Sequence, residues 1–212
     1  MFEFKNVSLT LQGKEIFQDF SWHVPARSKV LIVGPSGCGK SSLFELILGF
    51  KRPDKGQIYF DGQLISAESI WEARPKIAYV DQSVSLPSQK AGAFLDFVFE
   101  LKKNRQLKPD LEQITTHLAN FDLEPSILEQ EIDKLSGGEK QRLMLVIAIL
   151  LKRKVFLLDE VTSALDKELR QKVITYFSKQ DDLTVLSISH DEEWFNFPGI
   201  RVFDLEQKKW LS

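Results

Sequence analysis

Residues 34–42, Gly34-Pro35-Ser36-Gly37-Cys38-Gly39-Lys40-Ser41-Ser42, constrain the fold more than any other stretch. They match G-x-x-x-x-G-K-[ST] at Gly34, Gly39, Lys40 and Ser41. An apolar run at 30–33 precedes them and an apolar helical pattern at 43–48 follows, so the motif sits between a strand and a helix, as it must. Glycines allow backbone N–H groups to turn inward around phosphate oxygens, and the helix N-terminus adds its positive end. Lys40 would reach the β- and γ-phosphates of a nucleotide, and the Ser41 hydroxyl would sit on Mg²⁺. The competing reading is a glycine-rich turn with no ligand; the flanking strand and helix argue against it.

Composition excludes several other classes. With 212 residues, 43% hydrophobic and 27% charged, the chain has the make-up of an ordinary globular protein with one good core. The net charge of −2 gives no basic footprint and argues against nucleic acid as the main ligand. The longest apolar run, 143–151, is far short of the roughly 20 residues of a membrane span. The N-terminus lacks the basic-then-apolar order of a signal peptide. The single cysteine, Cys38, excludes an internal disulfide and suits a reducing cytosol. Its place in the phosphate loop leaves two readings, an oxidation site or a small filler, and the filler is preferred.

Hydrophobic periodicity orders the rest of the chain. Residues 2–9 and 15–24 read as a strand hairpin around Gln12-Gly13, 30–33 as a strand buried on both faces, and about 40–49 as a helix. Turns at 53–56 and 61–62 flank a short strand at 57–60, and 77–81 is another strand. From about 84 to 134 the pattern becomes helical. There Phe94, Phe97, Val98 and Leu101 are spaced as one apolar face, and a second amphipathic stretch covers about 110–121. Strand patterns return at 155–158, 184–188 and 200–204, with a helix from about 166 to 179. The order predicts a parallel α/β core, an N-terminal antiparallel β flap and an inserted helical subdomain, all within one domain: 1–83 and 135–212 for core and flap, about 84–134 for the insert.

Two further stretches bear on chemistry. Strand 155–158 runs into Asp159-Glu160. Asp159 at the strand end would hold Mg²⁺, while Glu160 points the other way along the pleat and would polarise an attacking water. Leu135-Ser136-Gly137-Gly138-Glu139-Lys140-Gln141-Arg142 precedes a helix that is apolar on nearly all sides from 143 to 151. Ser136 and Glu139 are spaced as a capping box, which would account for a helix start. It does not account for two adjacent glycines, which cost about 1 kcal/mol each inside a helix and suggest close approach to another group.

Leu-Ser-Gly-Gly with Glu-Lys-Gln-Arg, joined to the phosphate loop and Asp159-Glu160, is similar to the nucleotide-binding subunit of ATP-binding cassette (ABC) transporters, over essentially the whole chain. The resemblance implies a P-loop NTPase (RecA-like) fold, ATP and Mg²⁺ as cofactors, and a head-to-tail pair of chains. In that pair Ser136, Gly137 and Gly138 of one copy would meet the nucleotide held by residues 34–42 of the other. It implies that Gln82 contacts the metal and the water, that Asp166 lies at the shared interface, and that His190 contacts the γ-phosphate. For Asp166 a helix N-cap is an equally good local reading, and both can hold. His23 and His117 match no motif and read as structural or exposed.

The resemblance also implies a partner, a transmembrane permease on a separate chain. It would place this subunit at the cytoplasmic face of the membrane and its docking groove around 83–108, with Phe94 and Phe97 in the core or the groove. Asp-Glu-Val-Thr-Ser-Ala-Leu-Asp and the short insert look similar to small stand-alone ATPases of a proposed metal (iron) export type. A non-transport ATPase that regulates a membrane partner is the competing function. Three positions depart from the family pattern. Leu11 stands where an aromatic residue usually stacks on adenine, which implies weaker or less base-selective binding, since such stacking is worth roughly 1–3 kcal/mol in nucleic-acid systems. Val161 replaces a proline, and Ser28-Lys29 replaces Gly-Glu; little consequence is expected of either.

Overall fold

The computed structural model describes residues 1–82 and 86–211. Strands β1 (Phe2–Leu11) and β2 (Lys14–Val24) form the expected hairpin. Gln12 and Gly13 both take positive φ, 51° and 78°, the geometry whose twist matches antiparallel strands. β3 (Lys29–Val33) leads into the phosphate loop, and α1 (Lys40–Ile47) follows it. β4 (Lys55–Phe60) pairs with β1 and turns at Asp61-Gly62 into the two-residue β5 (Gln63–Leu64). After the single turn α2 (Ile70–Ala73) comes β6 (Ile77–Val80), and beyond it the helices α3 (Ala91–Glu100), α4 (Leu111–Asn120) and α5 (Gly137–Leu150). The chain closes with β7 (Val155–Asp159), α6 (Lys167–Ser178), β8 (Thr184–Ile188), α7 (Glu192–Phe195), β9 (Ile200–Asp204) and β10 (Lys209–Trp210).

The strands form two sheets. β2-β1-β4-β5 is antiparallel, while β10-β9-β3-β8-β7-β6 is parallel except for β10 at its edge. Side-chain alternation explains why the parallel strands read as unbroken apolar runs. Leu31 and Val33 of β3, Phe156 and Leu158 of β7, and Val185 of β8 join the core shared with α5 and α6. Val30, Ile32, Val155, Leu157 and Leu186 point to the opposite core, shared with α1 and the antiparallel sheet. Both faces are covered, so both sets must be apolar.

The helical segment contributes Phe94, Leu95, Phe99, Leu118 and Phe121 to the first of these cores, and the Lys90–Glu131 bridge ties its two ends together. The buried face of α3 differs from the expected one. Ala91, Phe94, Leu95 and Phe99 are buried, whereas Phe97 is 53% and Leu101 47% exposed, so Phe97 is not a core residue. Both stripes have helical spacing; beside the one that packs, Gly92 brings α3 close to the Leu128 carbonyl, which a β-carbon there would meet at 3.0 Å. The expected docking groove begins at residues 83–85, which lie outside the described residues.

Lys29 also does more than expected. It is 8% exposed, and its ammonium donates to the carbonyls of Gln180 (2.8 Å) and Leu183 (2.5 Å), tying the start of β3 to the turn before β8. Burial pulls its pKa down, against the charges of Asp181 and Asp182. Val161, in place of a proline, is fully buried in the core.

Candidate active site

Four neighbouring parallel strands, in the order β3-β8-β7-β6, carry at their carboxyl ends the phosphate loop, His190, Asp159-Glu160 and Gln82. Open α/β sheets bind ligands at that edge. The sequence separates these residues by up to 156 positions (190 − 34); sheet order brings them together. A pocket of about 340 Å³ is lined by Ser36, Gly37, Gly39, Lys40, Ser41 and Ser42 on one side and by Gln82, Asp159, Glu160 and His190 on the other.

The loop's own geometry requires its glycines. Gly39 has φ 105°, and a β-carbon there would lie 2.5 Å from Ile16 Cγ2 of the hairpin. Gly34, at φ 145°, leaves no room for a β-carbon beside Cys38 Sγ. The Lys40 ammonium is folded over the loop and donates to the carbonyls of Gly34 (2.7 Å) and Pro35 (3.0 Å). Gly34, Pro35 and Cys38 thus shape the loop from behind instead of lining the pocket. Cys38 is half-buried, and burial pushes its thiol up, which keeps it protonated and supports the filler reading.

Asp159 is 5% exposed at the end of β7. Burial pushes its carboxyl up to about 6; the Ser41 hydroxyl lowers it by hydrogen bonding, Asp81 and Glu160 raise it, and Lys40 lowers it. Ser41 and Asp159 therefore offer two adjacent oxygen donors, with the Lys40 ammonium close enough to act on the carboxyl. Among the described residues no three His, Cys, Asp or Glu side chains gather around a common point. This donor set suits Mg²⁺, which takes most of its ligands from phosphates and water.

Glu160, one residue on, has positive φ (48°), a strained conformation for a residue with a β-carbon. Its carboxylate accepts from the Gln82 amide (2.6 Å) and lies 3.8 Å from His190 Nε2. Gln82, Glu160 and His190 thus lie together at one end of the pocket. The pairing of Gln82 with Glu160 was not legible in the sequence, because β6 and β7 become neighbours only in the sheet.

The helix-start stretch shows both of its anticipated features. Ser136 Oγ accepts from Glu139 N–H (3.2 Å), and Glu139 accepts from Ser136 N–H (2.8 Å), completing a capping box. A β-carbon on Gly138 would meet the Ala164 carbonyl at 3.3 Å, so that glycine serves a close approach within the chain. Gly137 has open space around it. Ser136, Gly137 and Gly138 do not line the phosphate-loop pocket, and neither does Asp166, which caps α6 by accepting from Leu169 N–H (2.9 Å). Leu11 is half-buried against the core and stands outside the lining; the hairpin residue that faces the pocket is Ile16. Lys14 of the same hairpin donates to Gly37 O (3.2 Å), a contact between segments 23 residues apart that no local pattern announces. His23 is exposed, and His117 packs edge-on against Tyr176, so neither takes part.

Residues 17–163 match the family model described as ABC transporter. The chain belongs to the ABC transporter family. Over 92% of its length it is 33% identical to the "Probable iron export ATP-binding protein FetA" of Escherichia coli (strain K12), of which the match covers 87%. Over 85% of its length it is 36% identical to the "Energy-coupling factor transporter ATP-binding protein EcfA1" of Streptococcus pyogenes serotype M5 (strain Manfredo), covering 66% of that protein. Its fold also matches a dimeric, post-hydrolysis structure of an ATP-binding cassette bound to ADP and Pi, with TM-score 0.81 and 23% identity, covering 100% of this chain and 97% of that one. The ABC protein is an ATP-binding, ATP-hydrolysing transporter subunit; the non-transport alternative has no support among these relatives. Among the described residues no helix is long and apolar enough to cross a membrane.

Proposed function

We propose that this cassette hydrolyses ATP only as a head-to-tail pair and drives a separate permease from the membrane surface. The carrying observation is the incompleteness of the pocket. Its phosphate loop and its Gln82, Glu160 and His190 come from one chain, while Ser136, Gly137 and Gly138 lie outside it and Gly137 faces open space. A helix N-terminus with bare backbone suits an anion held by another molecule. The dimeric cassette of the same fold supports the pairing, and the transporter ATP-binding proteins named above support the permease partner.

Within each site Lys40 and the loop amides bind the phosphates of ATP, with Ser41, Asp159 and Gln82 as the residues that would hold Mg²⁺. The ion supplies charge neutralisation on the phosphates when bound. Glu160 orients and polarises the water, and His190 meets the γ-phosphate. Glu160 accepts from Gln82 at Oε2, and its other carboxylate oxygen keeps acceptor sites for a water. With Leu11 outside the pocket, the base is held by contacts weaker than an aromatic stack, and affinity rests mainly on the phosphates. One domain with residues 84–134 as an inserted subdomain accounts for the shared core. The similarity to an iron-export ATP-binding protein makes a metal ion the leading cargo class.

The reading is tested with Glu160→Gln. The variant is expected to bind ATP, to stall hydrolysis and to accumulate as an ATP-dependent dimer on size-exclusion chromatography. Wild-type turnover in that variant would overturn the role of Glu160.

A further inference from the structure

Gln141 lies in the Leu-Ser-Gly-Gly stretch, yet its side chain does not face the helix tip. It is 2% exposed, and its amide donates to the Glu160 carbonyl at 3.2 Å. That carbonyl belongs to the residue with φ 48°, a conformation that persists only where the surroundings over-determine it. The surroundings can be named. Glu160 N–H donates to Ile188 O (2.9 Å), and the Glu160 carbonyl accepts from Ser163 N–H (3.1 Å), Ser163 Oγ (2.8 Å) and Gln141. Of these donors to the carbonyl, Gln141 alone comes from outside the 160–163 turn. One helical turn earlier, on the same face of α5, Gly138 packs against Ala164 O, so the start of the helix lies along the whole 160–165 loop.

We infer that Gln141 is a positioning residue for hydrolysis. It ties the main chain of Glu160 to the first turns of α5, so the direction of the Glu160 carboxylate depends on where that helix sits. A displacement of α5 is thereby transmitted to Glu160 of the same chain. This rests on the reading of Glu160 as the residue that polarises the water.

The test is Gln141→Met, which keeps the volume and removes the donor. Losing the tie is expected to lower kcat by about 10- to 100-fold, the scale on which misplacement of a reacting group by 1 Å acts. The Kd for ATP, measured in EDTA so that no turnover intervenes, should change less than about twofold, because Gln141 does not line the phosphate pocket. Wild-type kcat, or a loss of kcat matched by an equal loss of ATP affinity, would overturn the inference. Glu160→Gln is assayed beside it. If that variant turns over normally, the assignment of Glu160 fails and the inference with it. If it is inactive while Gln141→Met is normal, only the tie fails. Should Gln141→Met not fold, the exposed Ser163→Ala removes a hydroxyl from the same carbonyl. A selective loss of kcat there supports anchoring of the carbonyl, and wild-type kcat rejects it.

Discussion

Asp159 shows what a single position can say and what it conceals. Its place at the end of an apolar strand and its link to the phosphate loop were legible in the sequence. Its energetic state was not, because the approach of Asp81 and the depth of burial depend on the neighbouring strand β6. A carboxyl whose pKa rises from 3.8 unfolded to about 6 folded takes up a proton on folding between those values. Its charge lowers stability fully above about pH 6, and the cost disappears as pH falls toward about pH 4. Asp159→Asn is therefore expected to raise stability at about pH 7.5 by up to about 3 kcal/mol, at about 1.36 kcal/mol per pKa unit, with a higher melting temperature, and to lose that advantage near pH 4. Thermal melts across that range check it; equal or lower stability of the variant at about pH 7.5 would contradict the burial argument. The same variant should lose ATPase activity, which is the cost of removing a ligand for the ion.

At the scale of elements, legibility followed periodicity and length. β3, β7 and β8 announced themselves because sheets covered on both faces need apolar side chains at every position. α5 did so because it is wrapped by the core over almost its whole length. The two-residue strands β5 and β10 and the one-turn helices α2 and α7 carry too few residues for any period. α3 has aromatics at 94, 97 and 99, so two helical stripes compete in the sequence and only packing chooses between them. Lys29, of which the sequence predicts little consequence, differs for a related reason. A lysine at the edge of an apolar run reads as solvated, whereas its ammonium is buried against two carbonyls from a segment about 150 residues away. Lys29→Met would leave both carbonyls without their donor and is expected to destabilise the chain by roughly 1–3 kcal/mol. Urea denaturation checks this, and an unchanged midpoint would show that water replaces the ammonium without cost.

For the whole molecule, sheet order explains how the phosphate loop, Gln82, Asp159, Glu160 and His190, far apart in sequence, come to line one pocket. Ser136, Gly137 and Gly138 lie outside the phosphate-loop pocket of their own chain. We propose that the α5 tip of another copy closes that pocket. Two variants isolate the two halves: Lys40→Ala removes the phosphate-binding ammonium, and Gly137→Asp places a carboxylate at the helix tip in open space, where the fold tolerates it. Each alone should be nearly inactive. Mixed, they can pair so that one of the two shared sites keeps an intact loop and an intact tip. The most direct measurement is the ATPase rate of that mixture: activity well above the sum of the two separate variants is predicted, and a mixture as inactive as its components would contradict a site shared between chains.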